Sequence, residues 1–168
     1  MDSTLKAFSV VALFALIALG AIFFRAPLDS FLVPHTIFYT VLLVNTFYSI
    51  RFWAAIQPQD SSQMLIDGIL AVTYIALALS IGRPISFAIA ALALFIAAPI
   101  KYMLMLGKIP RAALLGKKIA IDGAGTAICT LVLVLTLSGY GLVSAWIFAI
   151  SFTLVNIYLL RINPMYRL

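Results

Sequence analysis

Ala7-Phe8-Ser9-Val10-Val11-Ala12-Leu13-Phe14-Ala15-Leu16-Ile17-Ala18-Leu19-Gly20-Ala21-Ile22-Phe23-Phe24 runs without one charged residue, and Arg25 follows it at once. A helix rises about 1.5 Å per residue, so a run of this length nearly covers the ~30 Å hydrocarbon core of a bilayer. A secretory signal has an apolar region of only ~7–15 residues with a small-residue cleavage site behind it. This run is longer, and Arg25 stands where that site would fall. It therefore reads as a retained membrane span.

The pattern recurs. Beside 7–24, apolar stretches lie at about 31–53, 64–82, 85–106, 117–138 and 141–160. Proline and glycine mark the joints between them: Ala26-Pro27, Gln57-Pro58, Gly82-Arg83-Pro84, Gly107 to Pro110 and Ser138-Gly139-Tyr140-Gly141. Backbone groups in lipid must be satisfied within the segment or in a closed barrel, and runs without polar alternation are helices. The expected fold is an all-α, polytopic membrane bundle of about six transmembrane helices, formed by residues 1–168 as a single domain.

Composition agrees. Of 168 residues, 65% are hydrophobic and 10% charged, with a mean hydropathy of +1.18. Soluble domains carry roughly 25% charged residues, so this chain cannot cover a globular surface, and it is far too apolar for intrinsic disorder. The net charge of +6 does not point to nucleic acid, because the basic residues stand beside apolar spans. There they set topology and meet anionic lipid headgroups.

Orientation follows from their placement. With the N-terminus inside, the inner segments hold Lys6, Arg51, Lys101, Lys108, Arg111, Lys117, Lys118, Arg161 and Arg167, and the outer loops only Arg25 and Arg83. This asymmetry places both termini in the cytoplasm, in a cell (plasma or inner) membrane. Ile66-Asp67-Gly68 and Ile121-Asp122-Gly123 recur at the inner ends of the third and fifth spans. Such an echo is what a duplicated hairpin in parallel orientation would leave; shared helix-start chemistry explains it equally well.

Polar residues gather at one depth. Asn45 and Arg51 lie past the middle of the second span, Asp67 at the start of the third and Lys101 late in the fourth. Asp122 follows early in the fifth, and Asn156 and Arg161 lie late in the sixth. A charge at mid-membrane costs ~2.5–3.5 kcal/mol on insertion scales, so such groups pair or face a cavity. Arg51, Lys101 and Arg161 against Asp67 and Asp122 leave one excess positive charge, which suits an anion or a lipid headgroup. Structural readings stand beside this: helix N-termini favour both aspartates, Lys118 is placed to pair with Asp122 four residues on, and the arginines can snorkel. The candidate solute- or ion-binding set is Asp122, Lys101, Asp67, Arg51, Asn45 and Asn156.

Asp122, Gly125, Thr126, Cys129 and Thr136 share one helix face, a small and polar stripe suited to packing against another helix. Ala90, Ala93 and Ala97 lie on the face of Lys101, and Pro99 cannot donate to the carbonyl of Phe95, which predicts a kink. That freed carbonyl is a candidate solute contact. His35, at the outer start of the second span, is expected to be exposed or capping. Phe52, Trp53, Tyr102, Tyr158 and Tyr166 at inner ends, with Tyr140 and Trp146 at outer ends, read as the interfacial belt. The loop 107–118 mixes basic and apolar residues as if to lie on the inner headgroup layer.

The sequence calls for no cofactor and no metal: it has one cysteine and one histidine and no Walker loop, HExxH or Cys-x-x-Cys spacing. The leading expectation is a channel or carrier for a small solute or ion, with its polar site in the cytoplasmic third. A bundle this small suggests a homo-oligomer or a partner membrane subunit. The alternatives are a non-catalytic accessory subunit of a membrane complex and an enzyme acting on lipid headgroups or isoprenoids.

Overall fold

A computed structural model of the protein describes residues 2–24, 29–57, 60–109 and 111–166. Arg25, Ala26, Pro27, Pro58, Pro110 and Arg167, used above for joints and orientation, lie outside the described residues. Within them the secondary structure is helical, with no strand: α1 (Ser3–Phe23), α2 (Leu32–Trp53), α3 (Ser61–Leu79), α4 (Pro84–Met105), α5 (Ala112–Leu135) and α6 (Gly141–Ile157). Two π-helical turns, Thr136–Tyr140 and Tyr158–Ile162, follow α5 and α6.

Four stretches are long and apolar enough to cross a membrane, namely α1, α3, α4 and the 51 residues Ala112–Ile162. This suits a multi-pass membrane protein. The outer surface agrees, with Phe8, Leu16, Leu65, Val72, Leu131 and Leu154 all more than half exposed, an apolar girdle that a soluble monomer would not tolerate. The last stretch does not run straight. Gly139 takes φ +90 inside the π-helical turn, a left-handed value that strains any residue with a Cβ, and there the chain turns back into α6. A hydroxyl pair, Thr136 Oγ1 and Ser144 Oγ at 3.1 Å, ties the two sides of that turn.

Helices α1, α3 and α5 begin before the apolar windows do. Hydropathy registers only the part that sits in hydrocarbon, whereas a helix extends to where its end can be capped. Asp60 accepts from the Gln63 N–H at 2.9 Å, and Asp2 from the Thr4 N–H at 3.2 Å. The first turns of α5 are held by packing instead: Leu115 is fully buried, and the Arg111 guanidinium lies 5.1 Å from the centre of the Phe52 ring. The segment 107–118 therefore joins the bundle through Ile109 and Leu115 rather than lying wholly on its surface.

Helix α4 packs along α3 and α5, α1 along α2 and α3, and α6 along α2. The main apolar core draws on all six helices; Phe38 stacks on Phe148 with ring centres 4.2 Å apart. A second cluster closes the end at which α2 and α4 finish: Phe52, Trp53, Tyr102, Met105, Ile109 and Leu115. Three aromatics expected at the interface, Phe52, Trp53 and Tyr102, are thus core residues, 1%, 1% and 5% exposed. Tyr140 and Tyr158 do face outward.

At the opposite end His35 is buried, not exposed. Its Nδ1 accepts from the Gly82 N–H at 3.1 Å, and its ring stacks on Phe87 at 3.8 Å. Gly82 has φ +82, so the histidine fastens a turn between α3 and α4 that glycine alone adopts freely.

Candidate functional site

A cavity of about 510 Å³ opens inside the bundle, and every helix contributes to its wall. One end is apolar: Phe14, Leu42, Leu94, Phe95, Phe148 and Phe152 line it. The other carries Asn45, Asp67, Lys101, Asp122 and Asn156, so five of the six residues marked from sequence meet around one space. Arg51 is exposed and is not in the wall. Arg161, counted with it in the polar layer, lines a separate shallow groove of about 270 Å³ between α2 and α6, beside Tyr48 and Asn156.

The charges that remain are arranged in pairs. Lys101 Nζ meets Asp67 Oδ1 at 2.6 Å across α4 and α3, and Gln57 Nε2 donates to Asp67 Oδ2 at 3.0 Å. Deeper, Lys118 Nζ meets Asp122 Oδ1 at 2.7 Å within α5, with both side chains buried. Lys118 also lies 5.4 Å from the centre of the Tyr102 ring, close enough for cation–π attraction. The sequence order, lysine before aspartate, is the weaker one on a solvated helix; out of water the pairing is obligatory, because either charge alone would be unsolvated. The expected excess of positive charge in this layer is therefore absent from the deep end: the two arginines lie elsewhere, and Lys118 balances Asp122. The fifth charge in the wall, Lys6, is exposed and makes no ion pair among the described residues.

Hydroxyl groups complete the polar end. Thr46 Oγ1 donates to the Leu42 carbonyl at 2.7 Å and is hydrogen-bonded to Tyr74 OH, while Ser49 Oγ and Tyr102 OH are 3.2 Å apart. Against these satisfied groups, four buried atoms of wall residues find no hydrogen-bond partner among the described residues: Asp122 Oδ2, Asn156 Oδ1, Asn45 Oδ1 and Trp53 Nε1. Asn156 Nδ2 donates to the Phe152 carbonyl at 2.8 Å, which fixes its other atom as an acceptor. Asp122 and Asn156, each 3% exposed, are equally far along the chain from the reversal at Gly139 and so come level on the α5–α6 hairpin. Buried polar atoms are normally satisfied, so this concentration marks the polar end as a place for a ligand.

Two features marked from sequence turn out to be packing devices. The carbonyl that Pro99 leaves free on Phe95 is not open to a solute; it accepts from Thr126 Oγ1 at 2.7 Å. At the residue just before Thr126, a Cβ on Gly125 would stand 2.3 Å from the Phe95 ring. The α5 stripe thus clasps α4 through Gly125 and Thr126, while Cys129 is buried in the core. The alanine face of α4 is only partly as expected: Ala90 and Ala97 are buried, Ala93 is exposed. The two Ile-Asp-Gly echoes also do different work, one aspartate pairing across helices and the other within its own.

Sequence reasoning passed over Trp53, Tyr74 and Tyr102 as wall residues, and Gln57 and Gln63 as the polar brace of Asp67. A usable signal existed on α2, where Asn45, Thr46, Ser49 and Trp53 fall at helical spacing on one face. Among the described residues no group of three or more His, Cys, Asp or Glu side chains is placed to hold a metal ion. Comparison with family models, with curated proteins and with solved structures finds no match to this chain.

Proposed function

We propose that the protein is a six-span membrane carrier for a small solute, with both termini in the cytoplasm and its binding site in the cytoplasmic third. The observation that carries this reading is the cavity itself, a space of about 510 Å³ walled by all six helices with buried, partly unsatisfied polar groups at one end. Its volume falls in the range of small-molecule sites. A carrier suits it better than an open channel, because Phe38, Leu77 and Phe87 fill the bundle beyond the cavity's apolar end. Asp122 is the central site residue, braced by Lys118, with Asn45, Asn156, Asp67 and Lys101 around it. Arg51, Lys117 and Arg161 face outward, and we assign them to anionic headgroups at the cytoplasmic face.

Native mass spectrometry of the protein gently extracted from its own membrane tests this. A chain or homo-oligomer that retains a small molecule, and loses it in Asn156→Leu, supports the carrier. A stoichiometric foreign subunit, with no small molecule retained, overturns it in favour of an accessory role.

A further inference from the structure

From the same cavity, and resting on the reading that it is a binding site, we infer the chemical class of its ligand: an amphiphile with an uncharged, hydroxyl-type head on a hydrocarbon body. The head lies against Asp122 Oδ2 and Asn156 Oδ1, and the tail lies among the aromatic residues.

Charge decides against ionic heads. Lys118 already neutralises Asp122, and Lys101 neutralises Asp67. A carboxylate or phosphate head would bring an unbalanced negative charge beside two buried acceptors, and an ammonium head an unbalanced positive one. Either would be held out of water without a counter-charge, the costly situation for a buried ion. The single unpaired charge of the wall, Lys6, is exposed, so it stays solvated and does not reach into the deep end's balance.

Unsatisfied atoms decide for a donor. Asp122 Oδ2 and Asn156 Oδ1 only accept, and both are buried without partners. Trp53 Nε1 is a buried donor in the same state, and among the described residues the Lys118 ammonium, with three protons, is bonded to Asp122 alone. A hydroxyl both donates and accepts, so such a head gives its one proton to one of these acceptors and takes a proton from a donor. A fully hydrophilic solute would leave Phe14, Leu94, Phe95, Phe148 and Phe152 facing polar groups.

The test uses the full chain in lipid nanodiscs with Trp146→Phe, which leaves Trp53 as the sole tryptophan. Trp53 touches the Tyr102 ring at 5.2 Å, and Tyr102 in turn faces Lys118, so it reports on the polar end. The probes are medium-chain alkanols, alkylammonium ions, alkanoates and alkanes of equal length, each brominated because bromine quenches tryptophan on contact. The alkanol is expected to quench Trp53 saturably, at least about tenfold more tightly than any other head, and more strongly with bromine beside the head than at the chain end. In Asn156→Leu that preference is expected to fall. Saturable quenching by the alkanoate or the ammonium ion at equal or lower concentration overturns the uncharged-head assignment and leaves the cavity as a binding site. No saturable quenching by any probe overturns the assignment and the binding-site reading together.

Discussion

Replacing Lys118 by methionine isolates the energetics of the cavity's deep end. Lys118 and Asp122 are 2.7 Å apart with side chains only 7% and 5% exposed, so solvent screening does little for either. Methionine keeps most of the lysine volume and removes the charge. Asp122 would then have no partner on either oxygen, since Oδ2 has none already and Lys101 is engaged with Asp67. Breaking a buried pair from one side costs about 3–5 kcal/mol, whereas replacing both members with apolar residues of similar volume is often neutral or stabilising. Lys118→Met is therefore expected to lower the folding equilibrium constant by roughly two to four orders of magnitude, at ~1.36 kcal/mol per decade. Lys118→Met/Asp122→Leu is expected to recover most of that loss. The assay is equilibrium unfolding in mixed micelles of rising denaturing-detergent fraction, followed by far-UV ellipticity, on the wild type, both singles and the double. The cycle isolates the coupling. A Lys118→Met loss below ~1 kcal/mol, or a double variant as damaged as the single, would refute the claim that the pair is obligatory for a charge at this depth.

The clasp between α4 and α5 makes two separable predictions in the same assay. Thr126→Val deprives the Phe95 carbonyl of its donor and is expected to cost about 1–3 kcal/mol, while Thr126→Ser keeps the bond and most of the stability. Gly125→Ala forces the Phe95 ring aside, an overpacking worth ~1–3 kcal/mol, and Phe95→Leu in the same chain should relieve it. Just ahead of α3, hydrogen bonds from the Lys108 ammonium and then from the Gln63 N–H hold the Asp60 carboxyl below its ordinary value. Because the folded value is the depressed one, its contribution is full above about pH 4 and is lost as pH falls through the folded value. Asp60→Asn, which can still cap α3, is expected to flatten that acid limb in a stability-versus-pH series, lying below the wild type at neutral pH by that contribution and meeting it at the acid end. Gly82→Ala should cost ~1–2 kcal/mol for its left-handed backbone, and His35→Phe should keep the stack on Phe87 but leave the Gly82 N–H without its acceptor, as slower-to-faster amide exchange at Gly82 would reveal.

The helices were legible because lipid imposes length and apolarity on a span, and glycines such as Gly82 and Gly139 announce its breaks. Which face of each helix turns inward was not. In a bilayer the lipid is as apolar as the core, so leucine and phenylalanine gain nothing by choosing one side, and association rests on close packing and hydrogen bonds. Phe8 and Phe14 lie less than two turns apart in one run, yet the first is 65% exposed and the second 5%. Only residues that lipid rejects carry the information: Asn45, Asp67, Lys101, Asp122 and Asn156, marked from the sequence at one depth, meet around one cavity. Arg51 and Arg161 shared that depth but not that face, since a long side chain near the interface can reach water from any side. Aromatic residues misled for a related reason. The sequence places Trp53 and Tyr102 at the depth of an interfacial belt, and depth does not distinguish a ring facing headgroups from one sealing the bundle's end.

The same helix explains why packing and binding need not compete here. On α5 the stripe from Asp122 to Thr136 divides along its length: Thr126 and Cys129 are spent on neighbours, one on the carbonyl Pro99 freed and one in the core. Among the described residues only Asp122, at the stripe's beginning, keeps an oxygen unclaimed, and Gly125 belongs to both regions because it lines the cavity while making room for Phe95. The proline therefore serves the site indirectly. By leaving a carbonyl that Thr126 must satisfy, it fixes the height of α5 against α4, and with it the height at which Lys118 faces Tyr102 and Asp122 comes level with Asn156. A substitution that slides α5 by even part of a turn would separate the acceptors from the aromatic wall. Ligand preference in Thr126→Val should therefore decline together with stability, whereas Asn156→Leu should lose preference with α4 and α5 still clasped.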